Sequence, residues 1–254
     1  MRLPDVIAMC GRYALTLPPQ AVRAYFGYVE QPNFPSRFNI VPTQPVAVIY
    51  AETTLDGARQ RHFRLMRWGF LPGFVKDPKT YPLVFNIRSE TLRQKPSFRA
   101  AMKRRRCIFP ADAFYEWQRL GQGKGDSRPY LLRRRDGAPL ALAGLWETWT
   151  GPEGEEIDTA AIITTAANGA TAALHPRLPA ILESQDFDLW LDADEQSADE
   201  AFLLLHPPDN DVLEFFEIGP AVNKGDHDSP EVQQPAEAET PAKKDTPPAQ
   251  GSLF

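Results

Sequence analysis

Cys10 sits directly behind a methionine, in the run Met9-Cys10-Gly11-Arg12-Tyr13. A methionine followed at once by a small residue has the form of an initiation site, so residues 1–8 read as a mis-called start or a removable leader. Trimming of Met9 would leave Cys10 with an α-amine and a thiol on adjacent carbons. An α-amine has an ordinary pKa of about 7.7–8.0, so a useful fraction is unprotonated and nucleophilic at neutral pH. Such a 1,2-aminothiol condenses with an aldehyde to an imine, and the thiol then closes a five-membered thiazolidine that resists hydrolysis. A cysteine with a peptide bond on its nitrogen cannot do this. The plainer reading, a small apolar cysteine on an edge strand, stays open at this point.

Three further runs carry polar side chains of the right type: Asn86 in 84–91 (VFNIRSET), Glu116 in 106–117 (RCIFPADAFYEW) and His175 in 174–179 (LHPRLP). Taken one at a time, these are a turn asparagine, a hairpin surface charge and a loop histidine. Together with the MCGRY run, in this order, they resemble the SRAP family of SOS response-associated peptidase-like, abasic-site processing proteins. The resemblance spans about residues 9–230 and includes a family-like stretch at 222–231 (VNKGDHDSPE). It departs at Ala113, where the family usually has glycine.

That resemblance implies single-stranded DNA binding and capture of the ring-opened abasic-site aldehyde as a covalent thiazolidine, with self-processing of the N-terminus. Cys10 would be the nucleophile. Asn86, able to donate and accept, would hold the sugar or the α-amine. Glu116 would shuttle protons, and His175 would polarise or protonate the sugar oxygen. Arg12, Arg88 and Arg177, each within two residues of a catalytic position, are assigned to phosphates. Trp68 and Trp117 would stack beside an unstacked nucleotide. Asn39 and Pro42 would lie near the site and on the DNA-facing loop. The alternatives are a non-covalent single-strand binder and an N-terminal-cysteine amidohydrolase of the glutamine amidotransferase type, whose MCGI start and oxyanion segments are missing.

Thirteen short elements must position these residues. Alternating or apolar runs at 10–16, 46–50, 62–68, 107–109, 114–118, 130–133, 140–148 and 158–165 read as strands. Turn signals at 121–126, 136–137 and 151–154 read as hairpin turns. Helical patterns are expected at 19–26, 89–95, 96–104, 184–191 and 197–205, with proline or serine at their starts. The expected fold is α+β, a mostly antiparallel, barrel-like β core with flanking helices. Twenty-five prolines in 254 residues argue against a long-helix bundle.

Charge is uneven. Residues 1–181 carry a net +10, residues 182–206 a net −8, and residues 207–254 a net −7. The basic, arginine-rich body suggests a polyanionic partner. The run 103–106 reads as a solvated helix end, with a second phosphate patch as the alternative, and Cys107 as core. Two cysteines and four histidines provide no metal set, so no metal or cofactor is expected. No apolar run approaches the roughly 20 residues that span a bilayer, so a cytoplasmic protein without membrane contact is expected; the resemblance implies nucleoid association during replication, and a site that encloses one strand gives no reason to expect more than a monomer. Three segments follow: residues 1–8, a catalytic and DNA-binding domain at 9–225, and a disordered acidic, proline-rich tail at 226–254. Gln250, Leu253 and Phe254 end that tail and resemble a peptide that docks on the replication sliding clamp.

Overall fold

The computed structural model describes residues 10–121, 126–194 and 196–236. Residues 1–8, Met9 and the peptide at Gln250, Leu253 and Phe254 lie outside them.

Among the described residues, twelve strands form two sheets. Strands β3 (Pro45–Thr53), β4 (Arg59–Trp68), β6 (Arg106–Ala111), β9 (Leu140–Thr150) and β10 (Glu156–Ala166) pair in the cyclic order β3-β4-β10-β9-β6, which closes a five-stranded barrel. All its pairings are antiparallel except β4 with β10. The short strands β5 (Asn86–Arg88) and β11 (Arg177–Pro179) add to β10, β5 in parallel and β11 antiparallel. The second sheet is wholly antiparallel: β12 (Leu213–Glu217), β8 (Ser127–Arg134), β7 (Ala113–Arg119), β1 (Tyr13–Leu15) and β2 (Arg37–Ile40). Helices α1 (Pro19–Phe26), α2 (Pro96–Arg104), α3 (Phe187–Leu191) and α4 (Ala198–Leu203) flank these sheets. The α+β, barrel-based architecture expected from the sequence is the one observed.

Alternation sorts the residues. Tyr13 and Phe114, paired in register, point into the main core, while their neighbours Ala14 and Tyr115 point into a smaller cluster on the other face. Gly144 on β9 permits the barrel interior to fill: a Cβ there would lie 2.5 Å from the Phe109 ring. Two expected hairpins, at 121–126 and 151–154, join paired strands. The turn at 136–137 does not, because β8 gives its free edge to β12 and the chain crosses to the barrel as β9.

Three further expectations are corrected. Arg106 is neither solvated nor a phosphate contact: it is 1% exposed and its guanidinium donates to the carbonyls of Met102, Trp190 and Asp192. Neither α2 nor the 3-10 turn at Ser89–Thr91 has a side-chain cap; prolines or backbone start the helices. The chain does not leave the fold at residue 226. Turns at Pro220–Asn223 and Pro230–Gln233 bury Val222 and Val232 against Ala14, Tyr115 and Leu131, and continue the body to residue 236. Composition hides this segment because two valines and a set of hydrogen bonds anchor it, rather than an apolar run.

Candidate active site

The site lies at the seam between the antiparallel sheet and the barrel. Tyr115 N–H donates to Arg12 O, so the β1–β7 pairing continues past Tyr13 and brings the segment before β1 alongside Glu116. Glu116 shares the inward face with Phe114 and is 1% exposed. Its Oε1 accepts from Cys10 N at 2.8 Å. From the barrel side, Asn86 opens β5, pinned opposite Ile162, and its Nδ2 donates to Cys10 O at 3.1 Å. His175 precedes β11 in a loop held by Ala167 N–H on Pro176 O and His175 N–H on Thr171 O. Its Nδ1 stands 4.0 Å from Glu116 Oε2. The four residues singled out for chemistry are therefore brought together, two from each sheet system.

Electrostatics follow from burial. Desolvation pushes the Glu116 carboxyl well above the usual carboxylate range, against the opposing hydrogen bonds from Cys10 and Trp117 backbone amides. Burial, reinforced by the Glu116 charge, also pushes the Cys10 thiol up, so it is a thiol rather than a thiolate at neutral pH. Burial and the charges of Arg119 and Arg177 lower His175, against its contact with Arg177 O, so its imidazole is neutral. His175 Nε2 is buried with no partner among the described residues and is left to meet a water or a bound oxygen. A nitrogen beside a proton-accepting carboxyl, a neutral thiol on the next carbon but one, and a neutral imidazole suit amine chemistry better than thiolate chemistry.

The residues proposed for DNA divide. Arg12 is half-buried, sits 5.9 Å from the Trp117 ring, and donates to Asn39 Oδ1 and to the Val222 and Asn223 carbonyls. Trp117 is partly exposed and donates from Nε1 to Asn223 Oδ1 at 2.7 Å. Arg88 is exposed, and Pro42 is partly exposed beside Thr43, whose φ of 78° marks a tight, unusual turn for a non-glycine residue. Two assignments are corrected, Trp68 and Asn39. Trp68 is fully buried, edge-on to Tyr13, with its Nε1 on Phe85 O, and cannot stack on a nucleotide. Asn39 is fully buried and ties the carbonyls of Val222, Lys224 and His227 instead of touching DNA. Arg177 is partly exposed and pairs with both oxygens of Glu90 at 2.9 Å and with Thr164, which ties the His175 loop to β10.

Two features escaped the sequence. Residues 222–234 form a strap across β2: Asp228 accepts from the Phe38 and Asn39 amides and pairs with Arg37, and Gln233 reaches the Tyr115 hydroxyl. The strap thereby fixes Arg12 and Trp117 beside the site. In the loop before β5, Phe74 is 71% exposed and edge-to-face with Tyr81, an aromatic surface that the LPGF run could have suggested. Among the described residues, no group of three or more His, Cys, Asp or Glu could hold a metal ion.

Fold and site together define a barrel-based protein built around the nitrogen of a cysteine near the start of the chain. Residues 9–225 match the model of the SOS response associated peptidase (SRAP) family, and the chain belongs to that family. It is 34% identical over 227 residues to Abasic site processing protein YoqW of Bacillus subtilis (strain 168), covering 88% of this chain and 98% of that one. It is 30% identical over 273 residues to Abasic site processing protein HMCES of Rattus norvegicus, covering 90% and 76% respectively. A crystal structure of a protein from Bacteroides thetaiotaomicron has the same fold, with a TM-score of 0.74 at 23% identity over 89% of this chain and all of that one.

Proposed function

We propose that the protein processes abasic sites in single-stranded DNA by covalent capture on Cys10. The observation that carries this reading is the Cys10 nitrogen held 2.8 Å from a buried carboxyl. The names of the curated relatives support the abasic-site role.

Capture requires that the Met9–Cys10 peptide bond be cleaved, which frees the amine. Glu116 then takes a proton from the ammonium. The amine adds to the aldehyde carbon of the ring-opened sugar, giving a carbinolamine, and Glu116 returns the proton as water leaves and the imine forms. The Cys10 sulfur adds to the imine carbon and its proton passes to the nitrogen. The net change is aldehyde plus aminothiol to thiazolidine plus one water. Asn86 holds the Cys10 carbonyl so that nitrogen and sulfur face one carbon, and His175 Nε2 meets the sugar oxygen. The raised thiol disfavours an amidohydrolase that attacks as a thiolate.

The test mixes protein expressed from Met9 with an oligonucleotide carrying one abasic site, followed by a denaturing gel and intact mass. A heat-stable adduct one water lighter than the two components, absent in Cys10→Ala although that variant still binds the strand, is expected. No adduct from correctly trimmed protein overturns the reading and leaves a non-covalent binder.

A further inference from the structure

The antiparallel sheet ends at β12, whose backbone groups point alternately toward β8 and toward the free edge. Ile218 N–H donates to Pro129 O and Arg135 N–H to Val212 O, so the even-numbered residues here bond toward β8. Leu213, Phe215 and Glu217 therefore turn their N–H and C=O groups outward. The chain itself begins to fill that edge. After the Pro230–Gln233 turn, Gly219 N–H donates to Gln234 O at 3.1 Å, Pro235 bridges Ile218 in antiparallel sense, and Ala236 N–H donates to Glu217 O at 3.0 Å. At the other end of β12 the Arg135 guanidinium donates to the outward carbonyls of Asp211 and Leu213. Between these two closures, the outward N–H and C=O of Phe215 have no partner among the described residues.

That register dictates the next partner. Carried on by two residues, it sets Ala238 opposite Phe215 as the following hydrogen-bonded pair, with Glu237 and Glu239 between the bonds. The sequence suits this placement. Pro235 lies where an N–H would point away from β12 and no ladder bond is lost, and Glu237, Glu239 and Pro241 share its parity. Side chains sort by face as well. Ala238 falls on the side of the Phe215 ring, which is 37% exposed and edge-on to Tyr130. Glu237 and Glu239 fall on the side of Phe216 and Leu131, where a cavity of about 430 Å³ is lined by Arg133 and Arg135. Arg133 is shared with Glu214, and Arg135 has no carboxylate partner among the described residues. We propose that the β12 edge is the docking site of residues 237–239 of the same chain, which add a sixth strand to the sheet and bring Glu237 and Glu239 toward these arginines. The added strand closes an edge on which a second chain would otherwise pair. It lies two strands away from β7 and Glu116, so the rest of the chain departs from a part of the sheet that the site does not use. The inference is independent of the abasic-site reading.

The experiment is amide hydrogen exchange read residue by residue by NMR on the full chain, with two proline variants. Ala238→Pro removes the N–H that would donate to Phe215 O, whereas Glu237→Pro removes one that points away from β12. The Phe215 amide is expected to exchange about tenfold or more faster in Ala238→Pro than in the unaltered protein, and within about twofold of the unaltered rate in Glu237→Pro. The Phe216 amide, bonded toward β8, stays protected in all three and reports that β12 itself is intact. An unprotected Phe215 amide in the unaltered protein overturns the proposal. So does an equal loss of protection in the two variants, because a docked strand must distinguish the two positions. Protection of Phe215 that falls on tenfold dilution of the protein would assign the edge to a second copy of the chain and also overturn it.

Discussion

Replacing Glu116 by glutamine separates the stability of the fold from the chemistry of the site. In the chain with a residue still attached before Cys10, the Cys10 nitrogen is a peptide amide. A carboxylate at 1% exposure then has hydrogen bonds but no opposite charge within its shell other than the neutral-leaning His175. Burial raises its folded pKa above the unfolded value, so between those two pH values the folded state binds more protons than the unfolded one. Stability from the neutral carboxyl is present below the unfolded pKa and is lost as pH rises through the folded one. Glutamine keeps the shape and an acceptor for Cys10 N–H without ever ionising. Each pKa unit of elevation is worth about 1.4 kcal/mol, which for a domain of this size is roughly 3–5 °C in Tm. Glu116→Gln is therefore expected to melt with the unaltered chain near pH 4 and progressively above it toward pH 8, while crosslinking by the trimmed protein slows by about 10²–10⁴-fold. Thermal melts across that pH range, with intact mass to confirm the N-terminus, provide the check. A variant less stable at pH 8, a gap that ignores pH, or an undiminished crosslinking rate would each refute the reasoning.

Two further outcomes can be measured directly. Asp228→Ala removes the acceptor of two β2 amides and the partner of Arg37, and is expected to lower stability by about 2–4 kcal/mol. It should also weaken strand binding through Arg12 and Trp117, while a small aldehyde still reacts with Cys10; equal binding would show that the strap does not position them. Deleting residues 250–254 is expected to abolish pull-down of a bacterial sliding clamp without affecting crosslinking, and retention of the clamp by the shortened protein would end that proposal.

The sequence reveals long strands and the chemistry more readily than it reveals how the sheets connect. Strands β3, β4, β9 and β10 are long enough for alternation to show, and α1 and α2 begin at prolines that mark their first turns. Strands β5 and β11 have three residues each and exist only because β10 offers them an edge, so no local pattern announces them. Cys10, Asn86, Glu116 and His175 were legible as types within motifs. Trp68 and Asn39 were misread because a motif gives identity without depth: the same alternation that aims Glu116 into the seam puts Trp68 inside the barrel. The strap was hidden for a different reason. Its hold on Arg12 runs through backbone carbonyls, which every residue type supplies alike.

Charge shows the same difference between composition and placement. A net +10 over residues 1–181 suggests an extensive phosphate-binding face. Much of that charge is spent inside the molecule: Arg59, Arg61, Arg93 and Arg134 hold Asp192, Asp188, Asp199 and Glu183 of the acidic segment, Arg106 is buried, and Arg177 is tied to Glu90. Among the described residues, the cations left around the site include Arg12, Arg88, Arg67, Lys79 and Arg119, whose charge acts on His175. Three or four phosphate contacts on a single strand give a slope of log K against log salt of roughly −2 to −3, whereas ten would give about −7. A titration from 0.05 to 0.5 M salt distinguishes these. A slope near −7 would mean that the acidic segment lifts away and that the strand, rather than residues 182–206, occupies the arginines of β4.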